Sequence, residues 1–105
     1  MEQNIENLKD EVMSFIRDYL SDYKIAITES TSIEDDLYLT GEEAEDLLIK
    51  YSKRYKVNLE NFMFSNYFND EPKMLPVPRV VKPLTISHLA KGIIAGKLDE
   101  EVINS

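Results

Sequence analysis

DLYLTGEEAEDLLIKYSKRYKV, residues 36–57, is the stretch of sequence that decides the fold. Thr40 and Glu43 form a capping-box pattern, in which the hydroxyl accepts from the Glu43 amide and the carboxylate accepts from the Thr40 amide. This pattern predicts a central helix that begins at about Gly41. Apolar residues at helical spacing place one side of that helix in the core: Ala44, Leu47, Leu48, Tyr51 and Tyr55.

The charges of the central helix follow the direction of its dipole. Acids occupy the first turns and bases the last ones, in the order Glu42, Glu43, Glu45, Asp46, then Lys50, Lys53, Arg54, Lys56. Each favourable end charge contributes ~0.3–1 kcal/mol. Asp46 and Lys50 are also spaced for an ion pair along the helix.

Length and composition predict one domain over residues 1–105, with a single core. The chain is 43% hydrophobic and 30% charged, as in ordinary folded proteins, and it contains no Cys, which excludes disulfides and thiol chemistry. No apolar run approaches the ~18–20 residues of a membrane helix. The N-terminus is too acidic for a signal peptide, so we expect a cytoplasmic protein without membrane contact.

The net charge of −8 is concentrated in one segment. Between Lys24 and Lys50 there are eight acids and no base, whereas the remaining twelve acids are balanced by twelve bases. Such a field disfavours nucleic acid and favours a basic protein surface. The alternative is a solvated face that serves solubility. The predicted docking residues are Asp36, Glu42, Glu43, Glu45 and Asp46.

Two further helices follow from apolar periodicity. The first spans residue 3 to about residue 20 and buries Ile5, Leu8, Val12, Phe15, Ile16 and Tyr19. The last begins behind Pro83, with Thr85 as N-cap and Gly96 as C-cap. Its predicted apolar side consists of Ile86, Leu89, Ala90, Ile93, Ile94 and Leu98.

The connecting segments are predicted to be irregular. Residues 21–39 form a long loop in which Ile33, Leu37 and Leu39 fold inward. A short third element, either a helical turn around 59–64 or a short extended piece, follows the central helix, and we favour the turn. Four prolines predict that residues 69–83 form a loop or hairpin insertion. Residues 99–105 are predicted to be a frayed tail.

This mainly α layout resembles the acyl carrier proteins, a family of helical bundles with three long helices and a short third element. Asp36 and Leu37 match the family's Asp-Leu-Gly-x-Asp-Ser-Leu loop, with Tyr38 in place of the Gly. Leu47, Tyr55, Val57 and Leu59 fall at the family's core positions, and Leu84, Thr85 and Ile86 resemble the entrance to its last helix. The chain is most similar to a bacterial branch of unknown function, in which a Gly stands at the prosthetic-group position.

The resemblance implies the fold and an acidic docking face, but not acyl transport. Gly41 stands where carriers have the Ser that bears phosphopantetheine, and Glu42 stands where an apolar residue follows it. Gly has no hydroxyl with which to form the phosphodiester. The hydroxyl of Thr40 is turned toward the helix amides by its predicted capping role. We therefore expect no prosthetic group and no other cofactor.

Other chemistry finds no support in the sequence. A calcium loop that begins at Asp36 would place Tyr38, Thr40 and Leu47 at ligand positions, so the required bidentate Glu is missing. His88 has no nearby acid, and we interpret it as a satisfied or exposed histidine rather than a catalytic one. We predict no metal site and no catalytic residue.

Two functional hypotheses remain. The first is a monomeric, non-enzymatic interaction or regulatory module that docks a basic partner protein through its acidic helix. The second is a residual acyl or small-ligand carrier that uses an unconventional attachment or an apolar pocket.

Overall fold

The computed structural model describes residues 4–34, 36–39, 41–67 and 82–104. Within these ranges the chain is mainly helical and contains no strand, which confirms the predicted mainly helical bundle. The helices are α1 (Ile5–Leu20), α2 (Gly41–Tyr55), α3 (Ile86–Ala95) and α4 (Glu100–Ile103). A 3₁₀ turn, Phe64–Asn66, lies between α2 and α3.

The first helix begins and ends at residues suited to those places. The Asn4 side chain accepts a 2.9 Å hydrogen bond from the Glu6 amide, and Ser21 ends α1 in the left-handed region at φ 54°. The buried residues of α1 come from the predicted stripe: Leu8, Val12, Phe15 and Ile16. This side packs against α3.

The central helix begins at Gly41, as predicted. Thr40 lies outside the described residues, so its predicted capping box with Glu43 does too. Ala44, Leu47, Leu48 and Tyr51 are buried, whereas Tyr55 is half-buried with its ring 5.9 Å from that of Phe15. The long loop before α2 also folds inward as expected, and it buries Ile27, Ile33, Leu37 and Leu39.

The loop is fixed to the start of α3 by backbone hydrogen bonds. The Ile33 amide donates to the Leu84 carbonyl at 2.9 Å, and the Ile86 amide donates to the Thr31 carbonyl at 3.2 Å. Ser32 and Thr85 form an isolated antiparallel bridge between these bonds. The entrance to α3 therefore positions the acidic loop that leads into α2.

The short third element lies later than predicted. The chain turns at Leu59–Phe62 without forming a helix, and the 3₁₀ turn starts at Phe64. The reason lies at Asn58, whose amide and carbonyl bond to Gly96 and Leu98 at 3.0 Å, and whose side chain accepts from the Glu60 amide at 2.7 Å. Of the predicted insertion 69–83, residues 69–81 lie outside the described part of the chain.

The last predicted helix is confirmed with one correction. Thr85 is the N-cap of α3, and Gly96 ends the helix at φ 76°. Ile86, Leu89, Ala90 and Ile93 are buried, but Ile94 is 51% exposed, so its assignment to the buried side was wrong. Ile94 lies 100° around the helix from Ile93 and faces away from α1, whereas Leu98 reaches the core only after the turn at Gly96.

Residues 99–104 of the predicted frayed tail form a capped turn of helix, and Ser105 lies outside the described residues. Asp99 caps α4 by accepting a 3.0 Å hydrogen bond from the Val102 amide, and Val102 and Ile103 are buried. The Glu100 carboxylate accepts from the Tyr67 hydroxyl at 2.8 Å and lies 3.5 Å from the Lys82 ammonium. These contacts hold the pKa of Glu100 below its usual value, chiefly through Tyr67. The C-terminal turn is thus an ordered part of the domain.

Candidate functional site

The predicted docking residues all lie on the molecular surface. Glu42, Glu43, Glu45 and Asp46 project from the first two turns of α2, and Asp36 lies in the loop before it. All five are exposed. Their surroundings nevertheless divide them into acids with structural partners and acids whose charge is available to a second molecule.

Asp36 holds the loop that precedes α2. Its carboxylate accepts a 2.8 Å hydrogen bond from the Ser32 amide, and the Asp36 and Leu37 amides both donate back to the Ser32 carbonyl at 3.1 and 3.2 Å. This ring of hydrogen bonds orients Leu37 so that its side chain is buried. We therefore assign Asp36 a structural role in addition to its surface charge.

Asp46 connects α2 to α1. Its carboxylate lies 3.2 Å from the Lys50 ammonium, which confirms the predicted pair, and 3.0 Å from the Tyr19 hydroxyl. The Lys50 and Tyr19 contacts, in that order, lower the pKa of Asp46. Burial, followed by the Asp46 hydrogen bond, raises the pKa of Tyr19 to about 12. The hydroxyl is also 3.1 Å from the Glu43 carbonyl, and Lys50 lies over the Tyr19 ring at 5.2 Å.

Some of the charge of the acidic segment is neutralised by ion pairs, one of which the sequence does not reveal. The Glu29 carboxylate forms an ion pair with the Lys9 ammonium at 3.0 Å, and the Glu6 carboxylate lies 3.1 Å from the same ammonium. These two partners, Glu29 first, raise the pKa of Lys9. Glu34 is only 9% exposed. The eight acids between Lys24 and Lys50 therefore include Glu29 and Asp46, whose charges are paired, and Glu34, whose side chain is buried.

Two of the acids without a basic partner lie on one face of α2. Among the described residues, Glu42 and Glu45 have no cation within ion-pair distance. Glu42, Glu45 and Ile49 follow one another at spacings of three and four, so they form a single exposed strip. We call these three residues the α2 strip.

An apolar groove lies beside the α2 strip. It encloses about 180 Å³ and is lined by Leu48, Leu59, Phe62 and Phe64, with Glu45 and Ile49 at its α2 side. Ile49 is 41% exposed although it is a large aliphatic residue. The sequence does not reveal this groove, because apolar periodicity predicts only the buried side of α2 and no pattern defines the fold of residues 57–68.

The position that the resemblance to acyl carrier proteins would align with their attachment site is a buried glycine. Gly41 has a φ of 54°, in the left-handed region that favours Gly over residues with a Cβ. Tyr38, which stands where the carrier loop has Gly, also has a positive φ, 60°, and is 82% exposed. Gly41 therefore lacks the hydroxyl of a carrier Ser, and its backbone conformation also disfavours a Ser at this position.

His88 has a structural role at the start of α3. Its Nδ1 accepts a 3.0 Å hydrogen bond from the Thr85 amide, and the Thr85 hydroxyl accepts a 3.4 Å hydrogen bond from the His88 amide. Burial, followed by the charge of Lys91, lowers the pKa of His88. The prediction of a satisfied histidine fits this geometry. The part of His88 in a capping box is not evident from the sequence, because Glu or Gln usually fills that position.

Neither a metal centre nor a membrane span can be assembled from the described residues. No group of three or more His, Asp or Glu side chains in this part of the chain is placed to hold a metal ion. Over the same ranges, no helix has the length and apolarity needed to cross a lipid bilayer.

The fold and the surface define a mainly helical domain with an acidic strip beside an apolar groove. A family model described as "Protein of unknown function (DUF1493)" matches residues 2–99, and the chain belongs to this family. The match covers α1 to α3, and α4 follows it. No curated protein and no solved structure matches the chain.

Proposed function

We propose that the protein is a carrier-shaped, non-enzymatic interaction or regulatory module that docks a basic partner protein through the acidic face of α2. The observation that carries this proposal is the α2 strip, in which Glu42 and Glu45 are exposed and have no cation beside them among the described residues. A basic surface that approached α2 would meet both charges at once.

The resemblance to acyl carrier proteins supports the shape but not the carrier activity. The positive φ of Tyr38 suits a loop in which the carriers have Gly. Gly41 lacks the hydroxyl that a carrier needs, and its own positive φ would strain a Ser there. The proposed module therefore works without a prosthetic group. We also propose that it is a cytoplasmic monomer.

The docking proposal is tested by affinity capture from the host lysate. Glu42→Lys and Glu45→Lys are combined in one variant, whereas Asp46 is left intact because its contacts with Tyr19 and Lys50 join α1 to α2. Asp10→Lys and Glu11→Lys on α1 make a control with the same change in charge, since both residues are exposed. We expect the same proteins with the wild type and the control, and their loss with the α2 variant.

The outcome that contradicts docking is equally definite. Recovery of the same proteins by all three forms, or of none by the wild type, favours a solvated surface that serves solubility. Circular dichroism of each form establishes that the helix content is unchanged. Repeating the capture at high salt weakens electrostatic docking, because at ~0.15 M the screening length is already only about 8 Å.

A depression between α3 and α4 supports the second functional hypothesis, a small-ligand carrier. It encloses about 340 Å³, and its apolar lining includes Ile94, Ala95 and Val102. This volume lies at the lower end of the roughly 300–1,000 Å³ of small-molecule sites. Native mass spectrometry of protein purified from its host tests this second hypothesis. A bare mass supports the docking module, and a bound acyl or other small molecule supports the carrier.

A further inference from the structure

The apolar groove has walls of two different kinds. One wall is α2, which contributes Leu48 and Ile49, and the other is the irregular segment after α2, which contributes Leu59, Phe62 and Phe64. The ring of Phe62 stacks on the buried Tyr67 at 5.3 Å, so the second wall is supported from behind by the core. The groove is therefore a supported feature of the surface and not a gap between two loose side chains.

The volume of the groove restricts what can occupy it. About 180 Å³ is well below the roughly 300–1,000 Å³ typical of small-molecule sites. A space of this size accepts one large apolar side chain rather than a long acyl chain. Single anchors of this kind, placed in a pocket and surrounded by polar contacts, supply much of the binding energy of protein interfaces.

The charges around the groove indicate the residues beside such an anchor. Glu45 lies on the rim, and Glu42 lies almost one turn before it on the same face of α2. Glu60, also exposed, follows Leu59 on the opposite wall. An apolar side chain that enters here therefore brings its neighbours beside carboxylates, and Lys or Arg at those positions would be favoured.

The backbone of α2 indicates the conformation of the partner segment. The amides and carbonyls within this helix bond to one another, so its wall offers side chains and no free backbone edge. An extended peptide, which binds by adding its backbone to an exposed strand, finds no such strand in the described part of the chain. A helix, whose backbone is satisfied internally, suits this surface.

We propose that the groove receives one large apolar side chain from an amphipathic helix of the partner protein, with Lys or Arg residues within one turn of that anchor. This inference rests on the proposed docking function and names its partner's recognition element. The α2 strip contacts the basic residues, while Ile49 and the aromatic wall contact the anchor. The carboxylates determine which helix is selected, and the groove fixes where it lies along α2.

Site-specific photo-crosslinking tests this inference on the full chain in the host lysate. A benzophenone amino acid is introduced at Ile49, beside the groove, or at Tyr23, a control that is also a large exposed residue but lies in the loop after α1 and lines neither the groove nor the depression between α3 and α4. Each is prepared with the native acids and with Glu42→Lys and Glu45→Lys. We expect a crosslink from position 49 to an apolar residue of a partner helix, flanked by Lys or Arg. This crosslink should disappear in the charge-reversed form and be absent from position 23.

Different failures separate the groove from the docking function. A lipid, a second copy of this chain, or an extended or acidic segment crosslinked at position 49 overturns the helix proposal, as does equal crosslinking from position 23. Loss of capture on charge reversal without any crosslink at position 49 leaves docking in place and removes the groove. A crosslink that persists after charge reversal contradicts the electrostatic docking itself.

Discussion

The Tyr51 hydroxyl lies where a side chain on Gly92 would have to be. It donates a 2.6 Å hydrogen bond to the Leu89 carbonyl, and a Cβ added at Gly92 would clash with the same oxygen. Gly92 is therefore needed for the close approach of the Tyr51 side chain to α3. From the sequence alone, Ala would be favoured at this position by ~1 kcal/mol of helix propensity.

The first prediction concerns this contact. Gly92→Ala should destabilise the fold, because overpacking typically costs ~1–3 kcal/mol and exceeds the gain in propensity. In a Tyr51→Phe background the same substitution should cost much less, since the clashing oxygen is gone. Denaturant midpoints of the wild type, Gly92→Ala, Tyr51→Phe and the double variant give the coupling between positions 92 and 51. Gly96→Ala, which meets no atom within 4 Å, should show no coupling with Tyr51→Phe.

The second prediction tests which face of α2 is buried. Leu48 is 2% exposed and its neighbour Ile49 is 41% exposed. Leu48→Ala should therefore lower the free energy of unfolding by ~2–5 kcal/mol. Ile49→Ala should cost clearly less. Equal denaturant midpoints for the two variants would place the core on another face.

The third prediction concerns Gly41, which the resemblance to acyl carrier proteins would align with their attachment site. The wild type incubated with coenzyme A and a broad-specificity phosphopantetheinyl transferase should keep its bare mass, because Gly41 has no nucleophile. Gly41→Ser should also remain largely unmodified, since Glu42 places a charge where a carrier presents an apolar side chain. It should lose ~1–2 kcal/mol of stability as well, because the residue has a left-handed φ of 54°. A mass increase of one prosthetic group in either protein would contradict this.

The fourth prediction is a dependence of stability on pH. Neutral His88 accepts from the Thr85 amide, and its pKa is lowered from 6.5. Folding therefore favours the neutral imidazole, so this contribution is complete above pH 6.5 and is lost as pH falls through the lowered pKa. His88→Gln retains an acceptor and should remove this part of the pH dependence in thermal melts. His88→Ala should be less stable than His88→Gln at neutral pH.

Much of the helical fold could be predicted from local sequence, because apolar periodicity and caps act within a few residues. The starts of α2 and α3, at Gly41 and after Thr85, follow from such signals. The C-terminal turn could not be predicted, since Tyr67 and Glu100 are 33 residues apart in sequence. The ordering of a short, polar tail depends on such distant partners.

The candidate site was predictable in position but not in detail. The acids of α2 are visible in the sequence, and their exposure follows from the apolar stripe opposite them. The pairing of Glu29 with Lys9 spans 20 residues, and the link from Asp46 to Tyr19 spans 27, so neither was predicted. The groove arises where an irregular segment meets α2, and no periodicity describes such a segment.

The most direct test of electrostatic docking is the association rate constant of a captured partner with the wild type, measured as a function of salt. Steered association is fast at low salt and slows as ions screen the charges. We expect the rate constant to fall steeply with salt for the wild type and for the Asp10→Lys, Glu11→Lys control. It should be low and nearly independent of salt for the Glu42→Lys, Glu45→Lys variant. A rate constant that is insensitive to salt in the wild type, or unchanged by reversal of Glu42 and Glu45, would contradict docking through α2.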